Sequence, residues 1–208
     1  MSNFNIREVK ELFARIFVLG VHYKINFLAF TKALEKSDFV KKIEEGRYDD
    51  YFNNSLEQIF FDITKRKIDK DNSFGIFNDA YWCGYSYFEL HQRTKKSFTF
   101  LFLKLPLSKM IDIYSIYHEM DFSSLLIYFN KLDQEKTILR LLCEEKHCSI
   151  PKLSLQTGIS KATLVKYNAS DDALYNASFQ TIYKIAKFFD VSLSLFVTKN
   201  ENSLGKVL

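Results

Sequence analysis

"KLSLQTGISKATLVKYNAS", residues 152 to 170, decides how the rest of the chain is read, because it spells two short helices hinged at one glycine. Two helices joined so tightly need a small residue on the first, where the second crosses closely. Four residues later they need a glycine, since the turn takes a left-handed backbone that only glycine adopts cheaply. Apolar side chains must then lock the second helix from below. Ser154, Gly158, Ile159 and Leu164 meet these demands in order. Ser160 follows the turn as an N-cap, so the second helix begins abruptly with its first turn exposed. That is the arrangement in which the N-terminal residues of a recognition helix reach base edges in the major groove.

Working outward, five helices are expected from Asp133 onward. The first spans 134 to 145, with Asp133 as its cap, Glu135 in its first turn, and Ile138, Leu141 and Leu142 inward. The others span 150 to 157, 161 to 168 and 179 to 189, and the last is "SLSLFV". Together, "KLSLQTGISKATLVKYNAS" and "SFQTIYKIAKFFDVSLSLFV" resemble the Cro/C1-type (phage repressor-like) helix-turn-helix family. The likeness rests on a leucine–small pair, a Gly-Ile-Ser turn and a tyrosine closing the recognition helix. A final pattern of Ile182, Ile185, Ala186, Phe189, Val191, Leu193 and Phe196 completes it, and it covers residues 134 to 197. Two departures stand out. The family's usual alanine is Ser154 here, still small enough for the crossing. The short turn after the tyrosine is replaced by "NASDDALYNAS", a longer link that bears on where the fourth helix sits.

The resemblance implies a double-stranded DNA partner, bound as a homodimer on paired half-sites. It places Lys161, Ala162 and Thr163 on the exposed first turn, with Lys166 one turn further and Ser160 as the cap beside them. A lysine can donate to guanine O6/N7, a threonine can bond a base or touch a thymine methyl, and an alanine offers apolar contact alone. Lys152, Gln156 and Tyr167 are placed for phosphates, which orient a domain without reading sequence. Residues 131 to 208 hold 11 Lys+Arg against 8 Asp+Glu, three of the formal net charge of +4. The basic surplus is therefore local and modest, consistent with specificity that needs two copies.

The first 130 residues also read as helical. Apolar positions recur at helical spacing through Val9, Leu12, Phe13 and Ile16, then Phe27, Phe30 and Leu34, and again Leu56, Ile59, Phe60 and Ile63. Ser37 and Gly46 bracket a third helix as cap and stop. Residues 64 to 73 form a solvated, charged loop. "NDAYWCGYSYFELHQR" restarts a helix capped by Asn78 or Asp79, and Gly84 marks a place where a Cβ would obstruct packing. "SFTFLFLKLPL" alternates phenylalanines like a strand but lacks turn residues, which favours a helix. Asp121 caps a helix beginning at Phe122, with Met120 and Leu125 as a hydrophobic staple. "FLAFTKALEKSDFVKKIEEGRY", "AYWCGYSYFEL", "FLKLPL" and "YHEMDFSSL", together most of residues 25 to 130, resemble regions that precede helix-turn-helix domains in uncharacterised regulators of low-GC Gram-positive bacteria, some belonging to toxin–antitoxin or mobile-element gene sets, a likeness that implies no activity.

The fold class expected is thus mainly α: a helical N-terminal domain (1–130) for dimerisation or partner binding, a five-helix Cro/C1-type domain (131–200) and a tail (201–208). The function expected is a sequence-specific transcriptional regulator, an antitoxin-type autorepressor whose cognate toxin or other partner binds residues 1–130. The alternative is a phage- or plasmid-encoded protein–protein inhibitor with an autoregulatory helix-turn-helix. Only 2 Pro and 6 Gly disfavour an all-β chain. Cys83, Cys143 and Cys148 lack zinc spacing, and no cofactor, metal or catalytic residue is assigned. In "YHEMD", His118, Glu119 and Asp121 offer ligands for a metal or an acid–base pair, but a capped corner is the favoured reading, since adjacent helical residues point about 100° apart and Asp121 serves as an N-cap. No apolar run approaches the roughly 20 residues of a membrane span, so no membrane partner is expected and the location read from sequence is cytoplasmic.

Overall fold

The structure is a computed structural model that describes residues 6–48, 54–67 and 77–196. Among the described residues it is a helical protein of thirteen α-helices and one 3₁₀ turn, with no strand. The N-terminal part comprises α1 (Ile6–His22), α2 (Phe27–Glu35), α3 (Asp38–Glu44), α4 (Leu56–Thr64), α5 (Asn78–Thr94), α6 (Phe98–Lys104), α7 (Leu107–Tyr117) and α8 (Phe122–Glu135). Most starts are fixed by one polar side chain on an orphan N–H. Asn26 caps α2, Ser37 α3, Ser55 α4, Ser97 α6 and Asp121 α8. Gly46 ends the α3 region at φ +73°, as its position predicted. The helix expected to be capped by Asn78 or Asp79 instead has Phe77 at its N-cap with no side-chain hydrogen bond. The Asp79 carboxylate reaches only the next N–H, that of Ala80. The charged loop expected at 64–73 lies mostly outside the described residues.

The strand-like run of phenylalanines is helical. Six of the seven residues of α6 are buried, Phe98, Phe100, Leu101 and Phe102 among them. A helix enclosed on almost every side has no polar stripe, so its sequence carries no 3.6-residue period to read. Around it lies a core of rings. Phe13 packs within 6.0 Å of Phe17, Phe39, Phe88 and Phe98, and Phe17 within 6.3 Å of Phe30, Tyr87 and Phe102. The central crossing is α1 on α5, and Gly84 sets its distance. A Cβ there would stand 2.7 Å from the Ala14 Cα, so the two backbones touch where the sequence placed a glycine. Leu125 is buried as expected for the staple, but Met120 is 49% exposed.

The C-terminal part follows as α9 (Ile138–Glu145), α10 (Ile150–Thr157), α11 (Lys161–Ala169), α12 (Asp171–Tyr175), α13 (Phe179–Phe189) and a 3₁₀ turn (Leu193–Phe196). Two expectations are corrected. Asp133 does not cap the first of these helices: α8 continues to Glu135, and Thr137 caps α9 through the Arg140 N–H. The longer link "NASDDALYNAS" folds in part as a helix of its own, α12, started by Ser170. "SLSLFV" contributes a 3₁₀ turn and not an α-helix.

A buried cation joins the two parts. The Lys104 side chain, at the end of α6, is fully buried. Its Nζ donates to the Asp133 and Lys136 carbonyl oxygens that end α8, lies 3.0 Å from the Asp133 carboxylate, and lies 3.6 Å from that of Asp171 on α12. Asp171 in turn accepts the Ile138 N–H at the start of α9 (2.7 Å). Burial pushes the Asp171 carboxyl up, opposed by that N–H and by Lys104. The departure in the link thereby acquires a purpose: α12 carries the carboxylate that anchors the helix-turn-helix to α6. Further out, Lys32–Glu145 (3.1 Å) and Lys36–Asp190 (2.6 Å) pair α2 and its end with α9 and α13.

Candidate nucleic-acid interface

The hinge is built as the residue types require. Gly158 takes φ +68°, and a Cβ there would meet nothing within 4 Å, so backbone conformation alone demands the glycine. Its N–H closes α10 onto Ser154 O at 2.9 Å. The Ser154 hydroxyl donates to Ile159 O at 2.7 Å, which explains how a serine sits at this crossing: the group that departs from alanine is satisfied by the turn itself. Leu153 and Leu164 are fully buried, and Ile159 nearly so, locking both helices onto the body. At the other end, Thr137 Oγ1 donates to Asn168 O at 3.0 Å, tying the last turn of α11 to the start of α9.

Ser160 caps α11 as expected, accepting the Thr163 N–H at 3.1 Å. Its Oγ also lies 2.8 Å from Thr163 Oγ1, so the threonine hydroxyl is engaged with the cap. Lys161, Ala162 and Lys166 are exposed and Thr163 is half-buried. On α10, Lys152 and Gln156 are exposed on the same side of the hinge. Tyr167 differs from the others: it is only 9% exposed and its ring belongs to the core, so structural packing accounts for most of that residue.

The electrostatics are one-sided. From Lys146 to Ser170 the chain holds four lysines and no Asp or Glu. Lys152, Lys161 and Lys166 make no ion pair among the described residues. Several lysines elsewhere are neutralised in place, Lys104, Lys36, Lys32 and Lys136 among them. Unpaired ammonium groups beside a hinge are what a phosphate backbone would neutralise, with release of its counterions.

Two exposed apolar residues on these helices escaped the sequence reading. Leu155 on α10 is 83% exposed and Val165 on α11 is 58% exposed. Their signal was available in the helical period: counting 100° per residue places Val165 among the outward positions, away from Leu164 and Tyr167.

Other candidate chemistry resolves as structure. His118 stacks on Tyr114 (4.4 Å between centroids) with Nδ1 2.8 Å from Tyr114 O, and the Asp121 carboxylate accepts the Ser123 N–H at 2.7 Å. "YHEMD" is a capped corner. Cys83 is buried on α5, and burial pushes its thiol far above the ordinary range, which leaves it without thiolate character. No group of three or more His, Cys, Asp or Glu that could hold a metal occurs among the described residues. No helix among them is long and apolar enough to cross a membrane.

Comparison with known proteins agrees with this geometry where it speaks. Residues 139–194 match the family model of the Cro/C1-type HTH DNA-binding domain. That span runs from the first turn of α9 into the final 3₁₀ turn and includes α12. Neither the curated proteins nor the solved structures contain a match.

Proposed function

We propose that this chain is a sequence-specific transcriptional regulator that reads duplex DNA through α11 and represses its own promoter as the antitoxin of a toxin–antitoxin pair. The observation that carries the DNA-binding part is the outer side of the hinge: unpaired lysines on α10 and α11, no acid from Lys146 to Ser170, and a recognition-type helix capped at Ser160. Lys161 and Thr163 are the base-reading candidates, with Ala162 and Lys166 beside them, while Lys152, Gln156 and Ser160 face the sugar–phosphate backbone. Tyr167 holds the helix onto the core and adds at most its hydroxyl to that contact.

A second copy is part of the proposal, because one such domain covers one half-site and the net charge of the C-terminal part is small. The antitoxin role rests on the resemblance of the α5–α8 region to regulators encoded beside toxins. The test uses the full chain and the DNA upstream of its own gene. A gel shift on that DNA, released by Lys161→Ala/Thr163→Ala while helicity is unchanged, supports the reading. An unshifted promoter rejects autorepression. Co-expression of a small adjacent toxin-like frame tests the antitoxin role separately: the chain must relieve its toxicity and co-purify with it.

A further inference from the structure

The outer arc of α11 has an order that charge alone does not explain. At 100° per residue, Lys161, Val165, Ala162 and Lys166 follow one another around the helix, within about 140° of arc. The two apolar residues are in the middle and the two lysines at the edges. Opposite lie Leu164 and Tyr167, both buried. All four are exposed, Val165 by 58%, and the exposed Ala169 of the last turn falls on the same arc. Among the described residues nothing covers this strip.

From this arrangement we infer that Val165, with Ala162, forms an apolar strip that selects thymine by its 5-methyl group in the major groove. The inference rests on the DNA-binding reading above and names what that site discriminates. Occupant and surface match in two respects. The thymine methyl is the one apolar group that a base pair of unmodified DNA presents in the major groove. The flanking side chains are lysines, donors only, and the atom next to the methyl is the thymine O4 acceptor. A methylated cytosine would present the same methyl beside an amino donor, which the lysines would oppose. The lysines at the rim also bring phosphates to the strip, so the apolar contact is made in a water-excluding setting where a methyl counts.

The consequence is a site rich in thymine where Val165 meets it, and a binding loss when that methyl is removed. Burying one methyl-sized group is worth about 0.8 kcal/mol, or roughly a fourfold change in Kd. The experiment selects a binding site for the full chain from a random duplex pool and resynthesises it with deoxyuridine in place of each thymine in turn. The expected result is about a fourfold weakening at one or two positions and none at the rest. At those positions Val165→Ser binds thymine and uracil equally, with the salt dependence of binding unchanged because no phosphate contact is lost. Replacing the T·A pair there by 5-methylcytosine·guanine weakens wild-type binding although the methyl is kept. Uniform tolerance of uracil, an unchanged uracil penalty in Val165→Ser, or equal binding of the methylcytosine site overturns the inference while leaving DNA binding intact. Failure to select any duplex rejects the DNA-binding reading and this inference together.

Discussion

Lys104→Met removes the charge that joins α6 to the helix-turn-helix while keeping the length and apolar character of the stem. In the native protein its ammonium is fully buried and serves two carbonyl oxygens at the end of α8 and the carboxylates of Asp133 and Asp171. Removing one partner of a buried pair leaves the other uncompensated, at a typical cost of 3–5 kcal/mol. Here the two carboxylate side chains keep 26% and 21% of their exposure, so water recovers part of that loss. The expected destabilisation is about 2–3 kcal/mol. With a urea slope of about 2–3 kcal/mol per molar, the midpoint falls by about 1 M. The assay is urea unfolding followed by far-UV circular dichroism, since the fold is helical. Asp171→Asn, which keeps an acceptor for the Ile138 N–H, is the second arm. Combined with Lys104→Met it must cost less than the sum of the single variants, because the stranded charge is gone. A single-variant loss under about 0.5 kcal/mol, or strict additivity of the two, would refute the claim that this cation holds the parts together.

Three further outcomes follow from the same reasoning. Gly84→Ala forces a Cβ to 2.7 Å from the Ala14 backbone, so α1 and α5 must separate; thermal unfolding should show a loss of about 1–3 kcal/mol. Gly158→Ala meets no neighbour but must hold φ +68°, which costs about 1–2 kcal/mol; a loss well above that would mean that the turn is crowded as well as left-handed. Burial first, then Glu145 and Glu44, push the Glu35 carboxyl from 4.5 up to about 7, against the pull of Lys32 and Lys36. The folded state therefore holds this proton more tightly than the unfolded chain, so stability falls as pH rises from 4.5 to about 7 and then levels. Glu35→Gln should flatten that interval and add up to about 3 kcal/mol above it, read from urea midpoints across pH.

Where the sequence was legible, single residues carried unambiguous backbone or capping demands. Gly158, Ser160, Ser37, Gly46 and Asp121 each sit where their chemistry placed them. Gly84 was legible for the same reason, as a glycine among large side chains marks a close approach. The α6 segment was harder because a helix buried all round loses its periodicity. The end of α8 was misread because Asp133 looks like a cap, whereas the structure uses it as a partner for a distant lysine. No local rule couples residues 104, 133 and 171; only the lone lysine in "FLFLKLPL" hinted that a charge had to be buried and therefore paired. The start of α12 was signalled by Ser170 before two aspartates, a cap and an acidic first turn. Val165 carries no polar group to mark it in the sequence, and only its place on the helical period sets it outward.

The central claim is that α11 discriminates one duplex from another. Its most direct test is fluorescence anisotropy at fixed salt, titrating the full chain into a selected site and into a scrambled duplex of equal length. The wild type is expected to prefer its site by at least about a hundredfold, and Lys161→Ala/Thr163→Ala to lower binding of the selected site to the scrambled level with helicity unchanged. A double variant that keeps the wild-type preference would contradict the assignment of α11 as the reading helix.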